Sequence, residues 1–276
     1  MKLFACMCNQ PQRLWAALGP VRPTLVAEPP VSRWGLGYSQ GGDVLLVRTP
    51  KSSDKPVDLA SPLAEIPTDC AIGQAIRDKP DHPAGTPEEE RGSAHRRAGT
   101  DNTPPFRFRR WMFAQTGQPD LEAATPRLLE HVPEYLRRNL KGRTSGELLF
   151  HVFLAMLHDE GSVDDPNLTA QATRRALAAT MKLVGAEQAK AGVSGGFGNI
   201  AVSNGRSMVL ARLEEPLRLR RLWVNNDRGE RDESFRGVLL VSGGEGEARD
   251  GFEDVPANRA VLITRDLQVQ FADLAP

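Results

Sequence analysis

Three cysteines, Cys6, Cys8 and Cys70, are the residues of this 276-residue chain best suited to covalent chemistry. A thiol becomes a useful nucleophile when it is accessible and has a base beside it. Cys6 and Cys8 also form a Cys-X-Cys pair, which could supply two ligands to a metal ion. No second Cys/His cluster completes four ligands, so we expect no metal site. An odd, small number of cysteines also argues against a disulfide framework.

Charge and aromatic patterning indicate which partners the chain could have. Lys and Arg total 35, and Asp and Glu also total 35, so no net charge attracts nucleic acid or a membrane surface. Residues 106–111 interleave aromatic and basic side chains. This pattern fits nucleic-acid binding, but it also fits a half-buried strand with a basic outer face. We favour the strand and expect no nucleic-acid partner.

The elements that must position these residues are strands at both ends of the chain and helices in the middle. Apolar runs predict strands at 2–8, 44–47, 70–76, 111–114, 219–224, 238–242 and 260–264. Asn204-Gly205 is a strong signal for a hairpin between 198–203 and 207–212. Helical spacing covers 121–140, where Pro126 and Pro133 break it, and 169–191, where Gly192 can end the helix. A further helix is expected with Ser145 as its cap. This order predicts an α+β layered sandwich.

Length and composition fit one globular domain, since 40% of the residues are hydrophobic and 25% are charged. We predict a single domain over 1–276 with a mobile surface loop at 78–104, where charge, Gly and Pro are dense. Residues 9–30 are expected to be a helix-poor connection. The sequence contains no apolar run of about 18 residues, which predicts no membrane span. The apolar run before Cys6 is too short for an export signal, so we expect a cytoplasmic protein.

Five segments of the chain, in order, resemble the motifs of one family. The matches are residues 1–5 with M-C-R-L-F-A, 33–38 with D-G-W-G-L-G-Y, 102–106 with N-T-H-P-F, 110–118 with R-W-x-F-A-H-N-G-Q, and 142–150 with G-D-T-D-S-E-L-L-F. The family is the class II glutamine amidotransferases, and the chain most resembles the stand-alone type that includes the ergothioneine-pathway amidohydrolase. The resemblance implies a four-layer αββα sandwich of the N-terminal-nucleophile hydrolase type.

The resemblance also implies a mechanism, in which an N-terminal cysteine attacks the side-chain amide of glutamine and its own amine serves as base. That nucleophile position is Met1 here, and a thioether is neither a proton donor nor a useful acyl acceptor. The family's oxyanion donors, an Asn side chain and a Gly backbone, correspond to Thr116 and Gly117. The carboxylate that binds the substrate's ammonium group corresponds to Ser145.

Two further pocket positions follow from the resemblance. Arg77 is expected to keep the arginine that clamps the substrate carboxylate, although 74–77 aligns with the family in two ways, one residue apart. Trp34 is a pocket position for which core packing is the favoured interpretation. The family's Asp-Gly before the Trp-Gly pair is Ser32-Arg33 here, and the His of N-T-H-P-F is Pro104.

Structural residues of the family persist, whereas polar site residues are replaced. Loss of a catalytic nucleophile alone typically costs about 10⁶-fold in rate, so we expect a protein without glutaminase activity. It would act as a binding, regulatory or scaffold module for a protein partner or a small ligand, with no cofactor. In the alternative, removal of residues 1–5 exposes Cys6 as the nucleophile of an amidohydrolase that acts on an amide other than free glutamine.

Overall fold

The structure is a computed structural model that describes residues 1–78, 99–243 and 251–274. Its described α-helices are α1 (Leu14–Leu18), α2 (Thr125–Glu130), α3 (Glu134–Arg137), α4 (Ser145–Asp159) and α5 (Ala170–Ala191). Its described strands are β1 (Lys2–Cys8), β2 (Val26–Ala27), β3 (Arg33–Gln40), β4 (Asp43–Thr49), β5 (Val57–Asp58), β6 (Cys70–Ile76), β7 (Phe106–Phe108), β8 (Trp111–Gln115), β9 (Ile200–Ser203), β10 (Met208–Ala211), β11 (Leu217–Leu222), β12 (Gly237–Ser242), β13 (Glu253–Asp254), β14 (Arg259–Ile263) and β15 (Val269–Asp273).

Strand β1 lies at the centre of the first sheet, whose strand order is β13-β11-β12-β1-β6-β3-β4. It pairs antiparallel with β12 on one side and with β6 on the other. Its alternate side chains, Leu3 and Phe4 for example, point to opposite faces, and both faces are covered. This burial on both sides explains why a continuous apolar run, without polar alternation, forms the strand.

The second sheet has the strand order β15-β14-β10-β9-β8-β7 and packs face to face on the first. The core between the sheets combines Leu3, Ile72, Met112 and Leu210, together with their neighbours. The predicted hairpin is present, because Ser203 pairs with Met208 and Gly205 takes a left-handed φ of 80°.

Helical layers cover the outer faces of both sheets. Helices α4 and α5 pack on the second sheet, where Trp111 meets Phe153 edge to face with ring centroids 5.5 Å apart. The outer face of the first sheet is covered by α1 and by 3₁₀ turns within the connection predicted to be helix-poor. The chain therefore forms the predicted four-layer αββα sandwich, in which one outer layer is built from short helices.

The cap of α4 and the effect of Pro126 differ from the predictions. Thr144, rather than Ser145, caps α4, because its hydroxyl accepts the N–H of Glu147. The stretch 121–140 forms the two short helices α2 and α3, with the predicted break ahead of Pro133. Pro126 does not break the helix, because it lies in the first turn of α2. Gly192 ends α5 as predicted, in a left-handed conformation.

The loop predicted over 78–104 lies mostly outside the described residues, which omit 79–98. Its C-terminal end is not a surface loop, because Asn102 and Thr103 are buried after a 3₁₀ turn. In the described parts of the chain, no helix has the length and apolar character needed to cross a bilayer.

Candidate functional site

A cavity of about 1110 Å³ opens where β3 and β6 of the first sheet meet β8 of the second. We call it the inter-sheet cavity. Its walls include Arg33, Gln74, Ile76, Gln115, Gly117 and Ser145. The first turn of α4 closes one side, so the ends of three strands and one helix converge on this space.

Gln74 and Gln115 join the two sheets beside this cavity. The side chain of Gln74 donates through Nε2 to the carbonyl of Gln115 and accepts the N–H of Gln115 at 3.3 Å. Gln74 is fully buried. This reciprocal pair satisfies backbone groups at the end of β8 and holds β6 against β8.

Arg77 does not line the inter-sheet cavity, in contrast to the predicted clamp. Successive side chains of a strand point to opposite faces, so Ile76 shares the face of Gln74 and Arg77 faces outward. The guanidinium of Arg77 donates to the carbonyls of Pro30 and Glu28, each at 3.2 Å, and of Pro29 at 3.0 Å. In the second of the two alignments, which is shifted by one residue, the clamp position is Ile76, whose apolar side chain cannot bind a carboxylate.

Met1 borders a different cavity, of about 1000 Å³, on the outer side of the first sheet. Lys2 and Arg77 also line this outer cavity. The amine of Lys2 donates to the carbonyl of Gly243 at 2.8 Å. Met1 is not among the residues that line the inter-sheet cavity, although Ile76 borders both cavities.

Thr116 uses its hydroxyl within the fold. Its Oγ1 accepts the N–H of Asn199 at 2.9 Å, and its own N–H donates to the carbonyl of Asn199 at the same distance. The residue is 3% exposed and does not line the inter-sheet cavity. Thr116 therefore serves as a link between β8 and the start of β9, with its hydroxyl oxygen used as an acceptor inside the fold.

Gly117 has a structural reason to be glycine. Its N–H donates to the carbonyl of Phe197 at 3.1 Å, so this backbone donor is already engaged. A Cβ added here would lie 2.0 Å from the carbonyl carbon of Phe197. The two backbone segments approach so closely that only glycine fits.

Ser145 lines the inter-sheet cavity as the first residue of α4. The nearest carboxylate along the chain, Glu147, turns away and accepts the N–H groups of Lys141 at 3.0 Å and Gly142 at 2.7 Å. Burial raises the pKa of Glu147, and these hydrogen bonds oppose that rise. Glu147 therefore organises the loop before α4 and does not replace the carboxylate missing at Ser145.

Trp34 packs against the core on the outer face of the first sheet, together with residues such as Leu36 and Tyr38. It borders neither cavity. Trp34 is therefore half-buried against the outer core, as the favoured interpretation expects.

Cys6 is fully buried in the middle of β1, opposite Leu239 on β12 and Ala71 on β6. Its side chain faces the outer core rather than the inter-sheet cavity. Burial raises the pKa of its thiol well above the ordinary value, which disfavours the nucleophilic thiolate. The pKa values of Cys8 and Cys70 are also raised by burial, each to about 12.

Arg33 is a site residue that the resemblance does not indicate, because the family has glycine at this position. It lies directly opposite Ile76 across the β3–β6 ladder, and it lines the inter-sheet cavity. Its Nη1 pairs with Asp78 at 2.6 Å, and its Nε donates to the carbonyl of Asn102 at 3.1 Å. Alternation along 33–37 puts Arg33 on the face of two glycines, Gly35 and Gly37, and this signal was available in the sequence.

A metal site needs several ligand side chains close together. Among the described residues, no group of three or more His, Cys, Asp or Glu side chains is placed to hold an ion.

Comparison with known proteins gives matches by structure alone. No protein-family model matches the chain, and no curated protein matches it by sequence. A glutamine aminotransferase class-II domain protein from Silicibacter pomeroyi superposes with a TM-score of 0.55 at 16% identity, over 100% of both chains. A predicted glutamine amidotransferase from Pseudomonas aeruginosa gives 0.56 at 17% identity, over 98% of this chain and 99% of that one.

A larger enzyme shows the same fold in part of its length. Glutamine phosphoribosylpyrophosphate amidotransferase from B. subtilis, solved with ADP and GMP, matches with a TM-score of 0.52 at 11% identity. The match covers 100% of this chain and 49% of the enzyme, so the chain spans about half of that relative. Identities this low carry the fold and not the activity. The chain has the fold of the class II glutamine amidotransferase domains, which is that of the N-terminal-nucleophile hydrolases.

Proposed function

We propose that this chain is a class II glutamine amidotransferase-like protein that does not hydrolyse glutamine and serves as a binding, regulatory or scaffold module. The observation that carries the proposal is an open inter-sheet cavity of about 1110 Å³. The residues that the family uses to bind and hydrolyse glutamine are replaced in this chain. Ile76 and Ser145 offer no charge to either end of free glutamine. Thr116 does not line this cavity, and its hydroxyl oxygen accepts the N–H of Asn199. A cavity of this size suits a small ligand, and a protein partner at its mouth remains compatible with it.

The alternative based on Cys6 receives no support from the geometry. The thiol faces away from the inter-sheet cavity and is fully buried. Cleavage before Cys6 would remove Lys2 to Ala5, which hydrogen-bond in the middle of the seven-stranded sheet. Exposing the thiol would therefore dismantle the element that holds it.

Restoring only the nucleophile should not restore glutaminase activity. The variant Met1→Cys, produced behind a removable initiator methionine, is expected to release ammonia from glutamine at the background rate. The reason is that a thiol at position 1 leaves substrate recognition by Ile76 and Ser145 and the engaged hydroxyl of Thr116 unchanged. Coupled detection of ammonia and glutamate measures this.

The thermal unfolding of Met1→Cys must match that of the parent chain, so that misfolding does not explain the result. Turnover near the typical enzyme range of about 1 to 10³ s⁻¹ would show that the pocket still recognises glutamine, contrary to the proposal.

A further inference from the structure

Arg33 is a buried cation at the wall of the inter-sheet cavity. The residue is 6% exposed, although only part of its hydrogen-bonding capacity is used. Its Nε and Nη1 are bound by Asn102 and Asp78. Its Nη2 has no hydrogen-bond partner within residues 1–78, 99–243 and 251–274. A guanidinium offers five N–H donors in a planar fork, so donors of this cavity-lining residue remain available.

The N-terminal end of α4 lies close to this guanidinium. Asn102 connects the two, because its carbonyl accepts from Arg33 at 3.1 Å and its Oδ1 accepts the N–H of Arg143 at 2.8 Å. Arg143 precedes the cap of this 15-residue helix. The first-turn amides of Ser145 and Gly146 have no acceptor within the helix, and the helix end carries partial positive charge. Two sources of positive potential therefore meet at one side of the cavity.

Gln115 supplies an unused acceptor at the same cavity. The residue is 5% exposed, and its Nε2 donates to the carbonyl of Gly117 at 3.2 Å. Its Oε1 has no hydrogen-bond partner among the described residues. A buried acceptor without a donor costs about 1–3 kcal/mol. This oxygen is itself buried, so a ligand with an N–H or O–H group would relieve that cost once the Gln115 side chain turns its oxygen toward the cavity.

Acidic residues limit the charge that the cavity accepts. Asp78 already neutralises part of Arg33, and Asp120, Glu122 and Arg143 stand exposed at the cavity wall. Three carboxylates thus outnumber the two arginines, which disfavours a dianion such as a phosphate ester. A ligand with a single carboxylate, which carries one negative charge, matches the available donors of the guanidinium better than a dianion does.

We propose that Arg33 is a specificity-determining residue that binds the carboxylate of a small monocarboxylic acid in the inter-sheet cavity. The same ligand carries an N–H or O–H group for Gln115 and needs no ammonium group, since Ser145 provides no counter-charge. The inference rests on the proposed function only in placing the ligand in this cavity. It adds the chemical class of the ligand and the residue that selects it.

The test uses two probes that differ in one charge, 5-amino-5-oxopentanoate and the neutral pentanediamide. Titration calorimetry on the full chain should give affinity for the carboxylate at least about tenfold tighter than for the diamide. Arg33→Gln should remove that difference. Arg77→Gln is the matched control, because it removes an arginine from the opposite face and should leave both affinities unchanged.

Asp78→Asn keeps the test decisive if Arg33→Gln does not fold. It frees Nη1 of Arg33 and should strengthen carboxylate binding by several-fold, while diamide binding stays the same. Equal affinity of the parent chain for both probes, or an Asp78→Asn variant without tighter carboxylate binding, would overturn the assignment. So would a folded Arg33→Gln that retains the preference.

Ammonia release in the same samples separates this inference from the proposed function. Hydrolysis of glutamine would contradict the proposed function and leave the assignment of Arg33 intact. Absence of carboxylate binding would overturn the assignment and leave the loss of glutaminase activity unaffected.

Discussion

A chain shortened to begin at Cys6 is expected not to fold. The missing residues include Leu3 and Phe4, whose side chains are fully buried on opposite faces of the first sheet. Losing two such side chains costs about 5–10 kcal/mol, which is comparable with the whole stability of a domain, about 5–15 kcal/mol. The cut also leaves the backbone of β6 and β12 without partners in the sheet centre. Circular dichroism and thermal unfolding of the purified protein measure the loss.

The control for this deletion is Cys6→Ala in the full chain, which should fold and lose only about 1 kcal/mol of stability. Comparing the shortened chain with Cys6→Ala distinguishes the effect of losing the start of β1 from the effect of losing the thiol. A shortened chain that unfolds cooperatively and turns over an amide substrate would revive the alternative in which Cys6 is the nucleophile.

Gly117→Ala should destabilise the protein by about 3 kcal/mol or more, even though it adds a single methyl group. The new Cβ would lie 2.0 Å from the carbonyl carbon of Phe197, and backbone atoms cannot yield as a flexible side chain can. The hydrogen bond from the N–H of Gly117 to Phe197 would have to shift as well. Denaturant unfolding gives the change in the free energy of unfolding.

Gly185→Ala is the matched substitution elsewhere in the chain. Gly185 lies inside α5, and a Cβ added there meets nothing within 4 Å. Alanine should therefore stabilise the helix by about 0.5–1 kcal/mol, opposite in sign to the effect at Gly117. A neutral Gly117→Ala would mean that this glycine is retained for a reason other than close backbone packing.

The sequence was sufficient to predict the layered fold because its local signals agree with its tertiary contacts. The run at 2–8 became the central strand, and Asn204-Gly205 became a hairpin turn. Gly192 ended α5. The cap of α4 was placed one residue late, because Thr144 and Ser145 are both good caps and the choice depends on the hydrogen bond to Glu147.

The site was predicted less well because an error of one residue in a strand moves a side chain to the other face. Arg77 was expected in the pocket, but Ile76 takes that face and Arg77 contacts the connection before β3. Arg33 was missed because it reaches the cavity from the neighbouring strand, and only the β3–β6 register places it opposite Ile76. The engagement of Thr116 by Asn199 depends on residues 83 positions apart, which no local pattern reveals.

The most direct test of the central claim is ammonia release from glutamine by the purified full chain, with the intact mass measured on the same sample. We expect a mass that includes residues 1–5 and a rate of ammonia release equal to that of buffer without protein. Sustained turnover that scales with protein concentration, from a sample of that mass, would contradict it.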